Sequence, residues 1–316
     1  MTGGVDMDNL KYSYQTNMWG LKVQFPKLNN WDEWYKGDFS NAVYYLDWDQ
    51  ILKYHVGAGF TGIELMFHMQ PYIQQFFGEP GKFTAFVKER GIEEVTGTFT
   101  IAFDSQDKSK HADAMRSVEN ILNFTSDLGG SRIIIMPCGG YYGLGPLTSE
   151  QIVTSAQFMN EFGRRCLDKG IIPCVHTEFW GSINKNEMDR YIDACDPRYV
   201  GFCLDTAQVL IMGIDPVKFY DDHHEFVKYF HLKDTTFANT PDELRLCAGA
   251  EFQDNGDRWF WELGSGQVDF KGLWHLLKKY QYKGWIGVET DGTPDPMATM
   301  LLSKYYINHE LMPIYR

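Results

Sequence analysis

The sequence of 316 residues predicts a single (β/α)8 barrel, the TIM-barrel architecture. Short apolar runs and amphipathic segments alternate eight times along the chain, which is the pattern of β-α units that form a parallel sheet. The two longest connections both follow strand-like runs, where barrel enzymes carry their active-site loops. An open doubly wound sheet is the alternative, because element limits taken from one sequence are imprecise.

The predicted strands are short apolar runs of the kind that form a buried parallel sheet. They lie at residues 11–16, 62–66, 94–99, 132–136, 172–176, 200–204, 227–232 and 285–289. The amphipathic segments between them predict helices at 49–58, 82–90, 110–128, 149–169, 186–195, 215–222, 269–280 and 296–311. Gly91 and Gly170 directly follow two of these segments, as expected for helix C-termini.

Two connections, 19–48 and 235–263, are much longer than the roughly 2 to 6 residues of ordinary β-α loops. Both follow the carboxyl end of a predicted strand, so both are expected at the active-site face of the barrel. A glycine-rich connection at 139–145 after the fourth strand is predicted to be a flexible loop, because it matches no nucleotide-binding fingerprint.

Seven of the nine tryptophans lie in or beside the long connections or follow the fifth strand. They are Trp19, Trp31, Trp34, Trp48, Trp180, Trp259 and Trp261. Aromatic rings near one rim predict a stacking surface for a sugar ring, an aromatic group or a partner chain. The alternative is that they pack the long loops onto the barrel. Trp274 and Trp285 are interpreted as packing residues.

The net charge of -13 disfavours nucleic acid and an acidic membrane surface as partners, because both are bound largely through Lys and Arg. No apolar run approaches the roughly 20 residues of a membrane span, and the N-terminus lacks a secretory pattern, so a cytoplasmic protein is expected. The six cysteines are widely spaced without a C-x-x-C pair, which predicts buried free thiols.

Acidic, imidazole and ammonium groups end the last four predicted strands. These groups are His176 and Glu178, Asp205, His231 and Lys233, and Glu289 and Asp291. Because side chains alternate along a strand, the paired residues share a face, and one acid or imidazole from each strand can converge on a point.

Three carboxylates and one imidazole form an oxygen-rich site that suits manganese, magnesium or cobalt better than a thiolate-bound structural zinc. Carboxylates at such close range require a cation, since otherwise one of them takes up a proton. A lone histidine at a strand end is usually a hydrogen-bonded spacer. The coincidence of four such residues at successive strand ends favours a metal site.

Several motifs carry a family resemblance over nearly the whole chain. They are GFTGIEL at 59–65, HTEFWG, CLDTAQ, FHLKD, ELGSGQVDF and GWIGVETDG. The sequence resembles the xylose isomerase-like barrel superfamily of sugar isomerases, epimerases and inosose dehydratases. LGSGQVDFKGL with YKGWIGVETDGTPDP is closest to the inosose dehydratase pattern, whereas Glu178 fits the metal-binding glutamate of ketose epimerases.

The resemblance implies one divalent cation, usually manganese with magnesium or cobalt as alternatives, held by Glu178, Asp205, His231 and Glu289. It also implies that the two glutamates move protons beside the substrate. Family members commonly carry a histidine where this sequence has Gln208, in the pattern D-T-x-H. This departure disfavours a simple ketose epimerase and makes His176 a candidate base.

The predicted reaction is proton abstraction next to the carbonyl of an oxo-sugar, because a cation beside a ketone oxygen stabilises the resulting enolate. Elimination is favoured over epimerisation or isomerisation. His176 or Glu289 is the predicted base, and Lys233 is expected to bind a substrate oxygen. Trp19, Trp180 and Gln208 are further substrate-binding candidates. Glu64 is either another or part of a salt bridge inside the barrel.

The catalytic subunit of bacterial C-glycoside deglycosidases resembles this superfamily, uses manganese and acts with a smaller partner subunit on an oxidised glycoside. The seven rim tryptophans and the insertion at 235–263 would suit such a substrate or partner. The expected partners are therefore an oxo-sugar or glycoside, and either a second copy or a smaller subunit. A metal-dependent endonuclease of the same superfamily is disfavoured by the negative charge and the few histidines at strand ends. A non-catalytic carbohydrate-binding subunit is the rival outside the enzymes.

Overall fold

A computed structural model of the protein describes residues 9–16, 48–248, 250 and 258–316. Within these residues, eight parallel strands close into a barrel in chain order, which confirms the predicted fold. The first and last strands pair along five residues, so the open doubly wound sheet is excluded.

The strands agree with the predicted limits to within two residues. They are β1 Leu10–Gln15, β2 Gly62–Met66, β3 Glu94–Ile101, β4 Arg132–Met136, β5 Ile172–Val175, β6 Gly201–Asp205, β7 Val227–Leu232 and β8 Gly284–Val288. The strands are almost entirely buried, as expected for a parallel sheet covered by helices on its outer face.

The helices include a counterpart of every predicted one. Their bounds are Trp48–Ala58, Gln70–Phe77, Pro80–Glu89, His111–Asp127, Tyr141–Leu144, Ser149–Leu167, Met188–Ala194, Thr206–Ile211, Pro216–His223, Asp242–Arg245, Phe270–Lys279, Pro296–Tyr306 and Met312–Tyr315. Short 3-10 turns lie at Phe67–Met69 and Lys108–Lys110, and a π turn at Ile307–Leu311 interrupts the helix predicted at 296–311.

Helix Gln70–Phe77 was not predicted from the sequence. It has proline in its first turn and ends at Gly78, whose φ is 76°, so both ends follow ordinary helix-boundary chemistry. The connection at 139–145, predicted as a flexible loop, contains one helical turn, Tyr141–Leu144. Glycines flank this turn on both sides, which explains why its sequence is also typical of a loop.

The lower part of the barrel interior holds a small polar group on which the site rests. Tyr229 of β7 lies 2.8 Å from the hydroxyl of Ser13 and 3.3 Å from that of Thr96. Gly287 of β8 leaves room for this ring, since a Cβ there would lie 3.0 Å from the tyrosine hydroxyl. The next inward-facing residue of β7 is His231, one layer nearer the mouth.

The long connection after β7 is fastened to the barrel by Asp234. Its carboxylate accepts hydrogen bonds from the main-chain N–H groups of Gly264, Gly266 and Val268 at 2.8–3.0 Å. A Cβ at Gly266 would lie only 2.4 Å from this carboxylate, so glycine is required there. Trp261 pairs with Asp234 through two main-chain hydrogen bonds, and the connection therefore returns across the mouth.

The described tryptophans of the predicted rim include Trp48 and Trp259, which pack against neighbouring aromatic rings. Trp19, Trp31 and Trp34 lie outside the described residues, as does nearly all of the predicted loop 19–48. Trp48 is buried and packs edge-on against Phe83, and Trp259 is stacked between Phe179 and Phe237. For Trp48 and Trp259, this arrangement favours packing of the connections onto the barrel. Trp274 and Trp285 are buried, as predicted.

The state of the cysteines agrees with the prediction from the sequence. All six cysteines are free, and five of them are buried, which agrees with the prediction of free thiols. Burial raises the pKa of Cys174 to about 12, so this thiol stays protonated.

In the part of the chain that the structure describes, none of the helices combines the length and apolar character needed to cross a membrane.

His55 couples the stability of the barrel to pH. It is fully buried in helix Trp48–Ala58, with ring nitrogens 2.8 Å from the carbonyl of Ile51 and 3.4 Å from that of Tyr14. Burial lowers the pKa of His55 from 6.5 to about 4. Between these values the unfolded chain binds a proton that the folded chain does not. The free energy of unfolding therefore falls on acidification, by up to about 3 kcal/mol from this residue.

We expect His55→Asn to flatten the pH dependence of the free energy of unfolding between about pH 6.5 and pH 4. Urea unfolding at a series of pH values measures this slope for the parent chain and the variant. His275→Asn is the control, because His275 is exposed on helix Phe270–Lys279 and its replacement should leave the slope unchanged. Equal slopes for the parent and His55→Asn would contradict the expectation.

Candidate active site

The carboxyl ends of β6, β7 and β8 reach the same level of the barrel because of their register. Asp205 pairs with His231, and His231 pairs with Gly287. Glu289 follows β8, and its N–H donates to the carbonyl of Leu232 at 3.0 Å. Side chains predicted from separate strand ends are therefore neighbours at one mouth.

Asp205 divides its two carboxylate oxygens between the fold and the site. Oδ1 caps the helix Thr206–Ile211 by accepting hydrogen bonds from the N–H groups of Ala207 and Gln208 at 3.1 and 3.0 Å. Oδ2 faces the site, 3.2 Å from Lys233 Nζ and 3.3 Å from His176 Nε2. This helix was not predicted from the sequence, in which Asp205 is expected only as a ligand.

Three buried residues form a compact group of metal donors. One ligand atom from each of His176, Asp205 and His231 lies within 4.8 Å of the other two. Glu178 and Glu289 lie at the edges of the group: Glu178 Oε1 is 3.6 Å from His176 Nδ1, and Glu289 Oε2 is 3.0 Å from His231 Nδ1. The structure thus brings all four predicted ligands together and adds His176.

Lys233 lies among the carboxylates. Its Nζ is 3.2 Å from Asp205 Oδ2, 3.2 Å from Glu289 Oε2 and 2.6 Å from Asp291 Oδ2. Burial alone would lower the pKa of Lys233, but these three carboxylates together raise it well above its ordinary value. Lys233 is therefore a buried ammonium ion. The ring of Phe260 covers it, with Nζ 4.6 Å from the ring centroid.

The acids around Lys233 respond differently to burial. Burial and the charge of Glu289 raise the pKa of Asp291 to about 7, although Lys233 opposes the change. Burial would also raise the pKa of Glu289, but Lys233 and His231 hold it well below its ordinary value. Burial lowers the pKa of His176, and the hydrogen bond that its ring donates to Asp205 only partly offsets this effect. The His176 imidazole is therefore neutral.

Glu64 lies deeper in the barrel than the other acids. Both of its oxygens are 3.0 Å from His231 Nε2, and both side chains are fully buried. This contact is the salt bridge inside the barrel, one of the two roles that the sequence predicts for Glu64. A carboxylate on Nε2 fixes the imidazole so that Nδ1 faces Glu289 and the rest of the site.

The chemistry of the donors fits a divalent cation. Five carboxylates, from Glu64, Glu178, Asp205, Glu289 and Asp291, surround one ammonium ion and two imidazoles. His176 Nδ1 is buried and makes no hydrogen bond within the described part of the chain, whereas His231 Nδ1 and Glu289 Oε2 face each other at 3.0 Å. A divalent ion would offset the excess negative charge and give His176 Nδ1 a partner.

The main-chain N–H of Gln208 donates to Asp205 Oδ1, but among the hydrogen bonds of the described residues its carboxamide makes none to this group of acids and imidazoles. It is fully buried, and its Oε1 accepts a hydrogen bond from the N–H of Phe179 at 2.9 Å. Trp180 is also buried, and its ring lies 6.3 Å from that of Tyr142. Trp19 lies outside the described residues. Substrate contact by these three residues stays a prediction.

Three residues of this region were absent from the sequence-based site. Phe99 packs edge-on against His176 at 5.3 Å and parallel to His231 at 6.5 Å, so it forms an apolar wall beside both imidazoles. Phe260 covers Lys233, and Arg245 is completely buried beside the loop after β5. The position of Phe99 at the end of a predicted strand was the one available signal.

Known proteins resemble this chain in sequence and in fold. A sequence profile of the family described as "Xylose isomerase-like TIM barrel" matches residues 52–303. The chain belongs to the xylose isomerase-like TIM barrel family.

Relatives similar to the chain in sequence include two inosose dehydratases. That of Bacillus velezensis is 25% identical over 284 residues, which cover 81% of this chain and 87% of the relative. That of Lacticaseibacillus casei is 24% identical over 234 residues, covering 72% of this chain and 74% of the relative. These relatives support an enzyme of the lyase or isomerase/epimerase type, as the sequence predicted.

Solved structures share the barrel at low sequence identity. The probable 3-DHS dehydratase AsbF of Bacillus anthracis superimposes with a TM-score of 0.69 at 12% identity, covering 95% of this chain and 99% of that one. IOLI protein with a bound zinc atom gives 0.68 at 14% identity, covering 97% and 99%. L-ribulose 3-epimerase also gives 0.68 at 14% identity, covering 96% and 95%. At these identities the similarity concerns the fold.

We expect Gln208→Ala to lower the free energy of unfolding by about 1–3 kcal/mol, because it leaves the buried N–H of Phe179 without an acceptor. Urea unfolding of the parent chain and the variant measures this difference. Gln157→Ala is the control, since Gln157 is exposed on helix Ser149–Leu167 and its change should stay within about 0.5 kcal/mol. A similar small change for both variants would contradict the structural role of Gln208.

Proposed function

We propose that the protein is a divalent-metal-dependent lyase that removes a proton next to the carbonyl of an oxo-sugar and then eliminates a substituent. The observation that supports this most directly is the compact group of His176, Asp205 and His231, with Glu178 and Glu289 at its edges. The dehydratase names of the curated relatives favour elimination.

Glu178, Asp205, His231 and Glu289 are the residues proposed to hold the cation, with manganese as the proposed ion and magnesium or cobalt as alternatives. A divalent cation held there would supply positive charge beside the carbonyl oxygen of the substrate and stabilise the enolate. His176 also lies within the donor group, so it is either a fifth ligand or a base.

The remaining steps belong to the protein side chains. Glu289 or His176 takes the proton from the carbon next to the carbonyl, since His176 lies within the donor group and Glu289 lies at its edge. Lys233 holds a substrate oxygen through its ammonium group. Phe99 and Phe260 limit water around the imidazoles and the ammonium ion, which strengthens the electrostatic interactions of the site.

Ketose 3-epimerisation is the second candidate, because the same ligands and the same enolate serve it. The choice between the two depends on what happens after proton removal. Elimination expels a substituent from the carbon beyond the enolate, whereas epimerisation returns a proton to the opposite face. An oxidised C-glycoside is a further candidate substrate for elimination, and a smaller subunit or a second copy is a candidate partner.

The proposed reaction is tested by deuterium exchange in D2O on a panel of ketoses, inososes and 3-oxo-glucosides with Mn²⁺ present. We expect NMR to show deuterium at the carbon next to the carbonyl of at least one substrate. Loss of a substituent from the same substrate, also seen by NMR, shows elimination. Chelation should abolish the exchange, and returned Mn²⁺ should restore it. Absence of exchange in every oxo-sugar would rule out proton abstraction and favour the non-catalytic binding subunit.

We expect Glu289→Gln to lower the exchange rate by about 10²–10⁴-fold, because the amide cannot accept the substrate proton. The rate is measured at saturating Mn²⁺, so that weaker metal binding does not contribute. Glu243→Gln is the matched control, because Glu243 is exposed on the short helix Asp242–Arg245 and its replacement should leave the rate unchanged. Full turnover by Glu289→Gln with the metal bound would assign the base to His176.

A further inference from the structure

The main chain of Phe179, directly after Glu178, is held at both of its polar atoms. Its N–H donates to Gln208 Oε1 at 2.9 Å. Its carbonyl accepts from Arg245 Nη1 at 2.6 Å and from Asn184 Nδ2 at 3.0 Å. The carbonyl of Glu178 itself accepts from the N–H of Gly181 at 2.8 Å, which closes a tight turn. The direction in which Glu178 projects its side chain is therefore fixed by its neighbours.

Arg245 is the member of this arrangement that comes from the long connection after β7. It is completely buried, although an arginine in that position loses its hydration. Its guanidinium group uses two nitrogens: Nη1 bonds the Phe179 carbonyl, and Nη2 bonds Asn184 Oδ1 at 2.9 Å and Asp242 Oδ1 at 2.6 Å. The flat, forked shape of the group allows it to bridge these acceptors at once.

The side chain of Phe179 is fixed by the same connection. Its ring stacks on Trp259 at 4.9 Å between centroids and with 13° between the planes. Trp259 in turn stacks on Phe237 at 4.3 Å. Both rings belong to the connection that carries Arg245. This one segment therefore contacts the loop after β5 twice, at the carbonyl of Phe179 and at the face of its ring.

We propose that Arg245 is a positioning residue that sets the place of the Glu178 carboxylate beside His176. It acts through Phe179 and Asn184 and does not itself touch the group of acids and imidazoles in any contact described here. The inference rests on the proposed function, because Glu178 is a proposed ligand of the divalent cation. It assigns to the long connection after β7 the task of shaping the metal site from outside.

The direct test is the affinity of the full-length protein for Mn²⁺, measured by titration calorimetry without substrate. Arg245→Met keeps an unbranched side chain that can pack in the same place but removes the donors, and we expect Mn²⁺ to bind about 10–100-fold more weakly. Arg245→Lys retains the charge and can bond only part of the acceptor set, so an intermediate loss is expected. This second variant also serves if Arg245→Met does not fold.

Arg258→Met is the matched control. Arg258 lies in the same connection, pairs with Glu262 at 2.8 Å and stacks on Trp261, but has no contact with Phe179 among the described interactions. Its replacement should leave Mn²⁺ affinity unchanged. Circular dichroism and thermal unfolding below saturating metal show that each variant is folded at the temperature of the titration.

The role of Glu178 is separated by combining Arg245→Met with Glu178→Gln. If Arg245 acts by positioning this carboxylate, the double variant should bind Mn²⁺ no more weakly than Glu178→Gln alone. Weakened binding in Glu178→Gln but parent-like binding in both Arg245 variants would overturn the positioning role and leave the proposed function intact. Unchanged binding in Glu178→Gln would instead refute the ligand role of Glu178, and the positioning proposal with it.

Discussion

Negative charge concentrated inside and at the mouth of the barrel is the constraint on which the rest of the structure depends. Five buried or nearly buried acids lie around Lys233, His176 and His231, and each must find a donor. Glu64 finds it in His231, Asp205 in a helix N-terminus, and Asp291 in Lys233. What remains unbalanced faces the centre, where a divalent ion fits.

The walls of the site serve the same requirement. Phe99 and Phe260 keep water from the imidazoles and the ammonium ion, which makes every charge there act more strongly on its neighbours. The connection after β7 supplies Phe260 and is fastened by Asp234, a carboxylate satisfied entirely by main-chain N–H groups. Asp234 of the motif HLKD thus fastens the connection that supplies Phe260, and Lys233, the residue before it, lies beneath the Phe260 ring.

The barrel and most of the site could be predicted from sequence because both depend on local patterns. Apolar runs gave the strands, and the polar residue that ends each run pointed to the mouth, as for Asp205 and His231. Pairings across the barrel could not be predicted in this way. Glu64 and His231 lie 167 residues apart, and Arg245 and Phe179 lie 66 apart, so only the closed barrel and the returning connection bring them together.

Gln208 illustrates a second limit of the sequence. Its difference from the histidine of related proteins suggested a change at the substrate, yet its carboxamide oxygen binds the main chain of Phe179. A departure from a family motif therefore identifies a position without identifying its partner. The proposal of a lyase therefore rests less on Gln208 and more on the dehydratase relatives.

Asp205 shows how a fold can order the side chain of a proposed metal ligand in advance. Two main-chain N–H groups hold Oδ1, so the carboxylate has already given up the torsional freedom that most side chains lose when they bind a cation. The side chain of Asp205 loses its conformational entropy when the chain folds. Little further entropy is then lost when a cation binds. Occupancy at low metal concentration would then reflect rigidity of the aspartate as much as the number of donors around the ion.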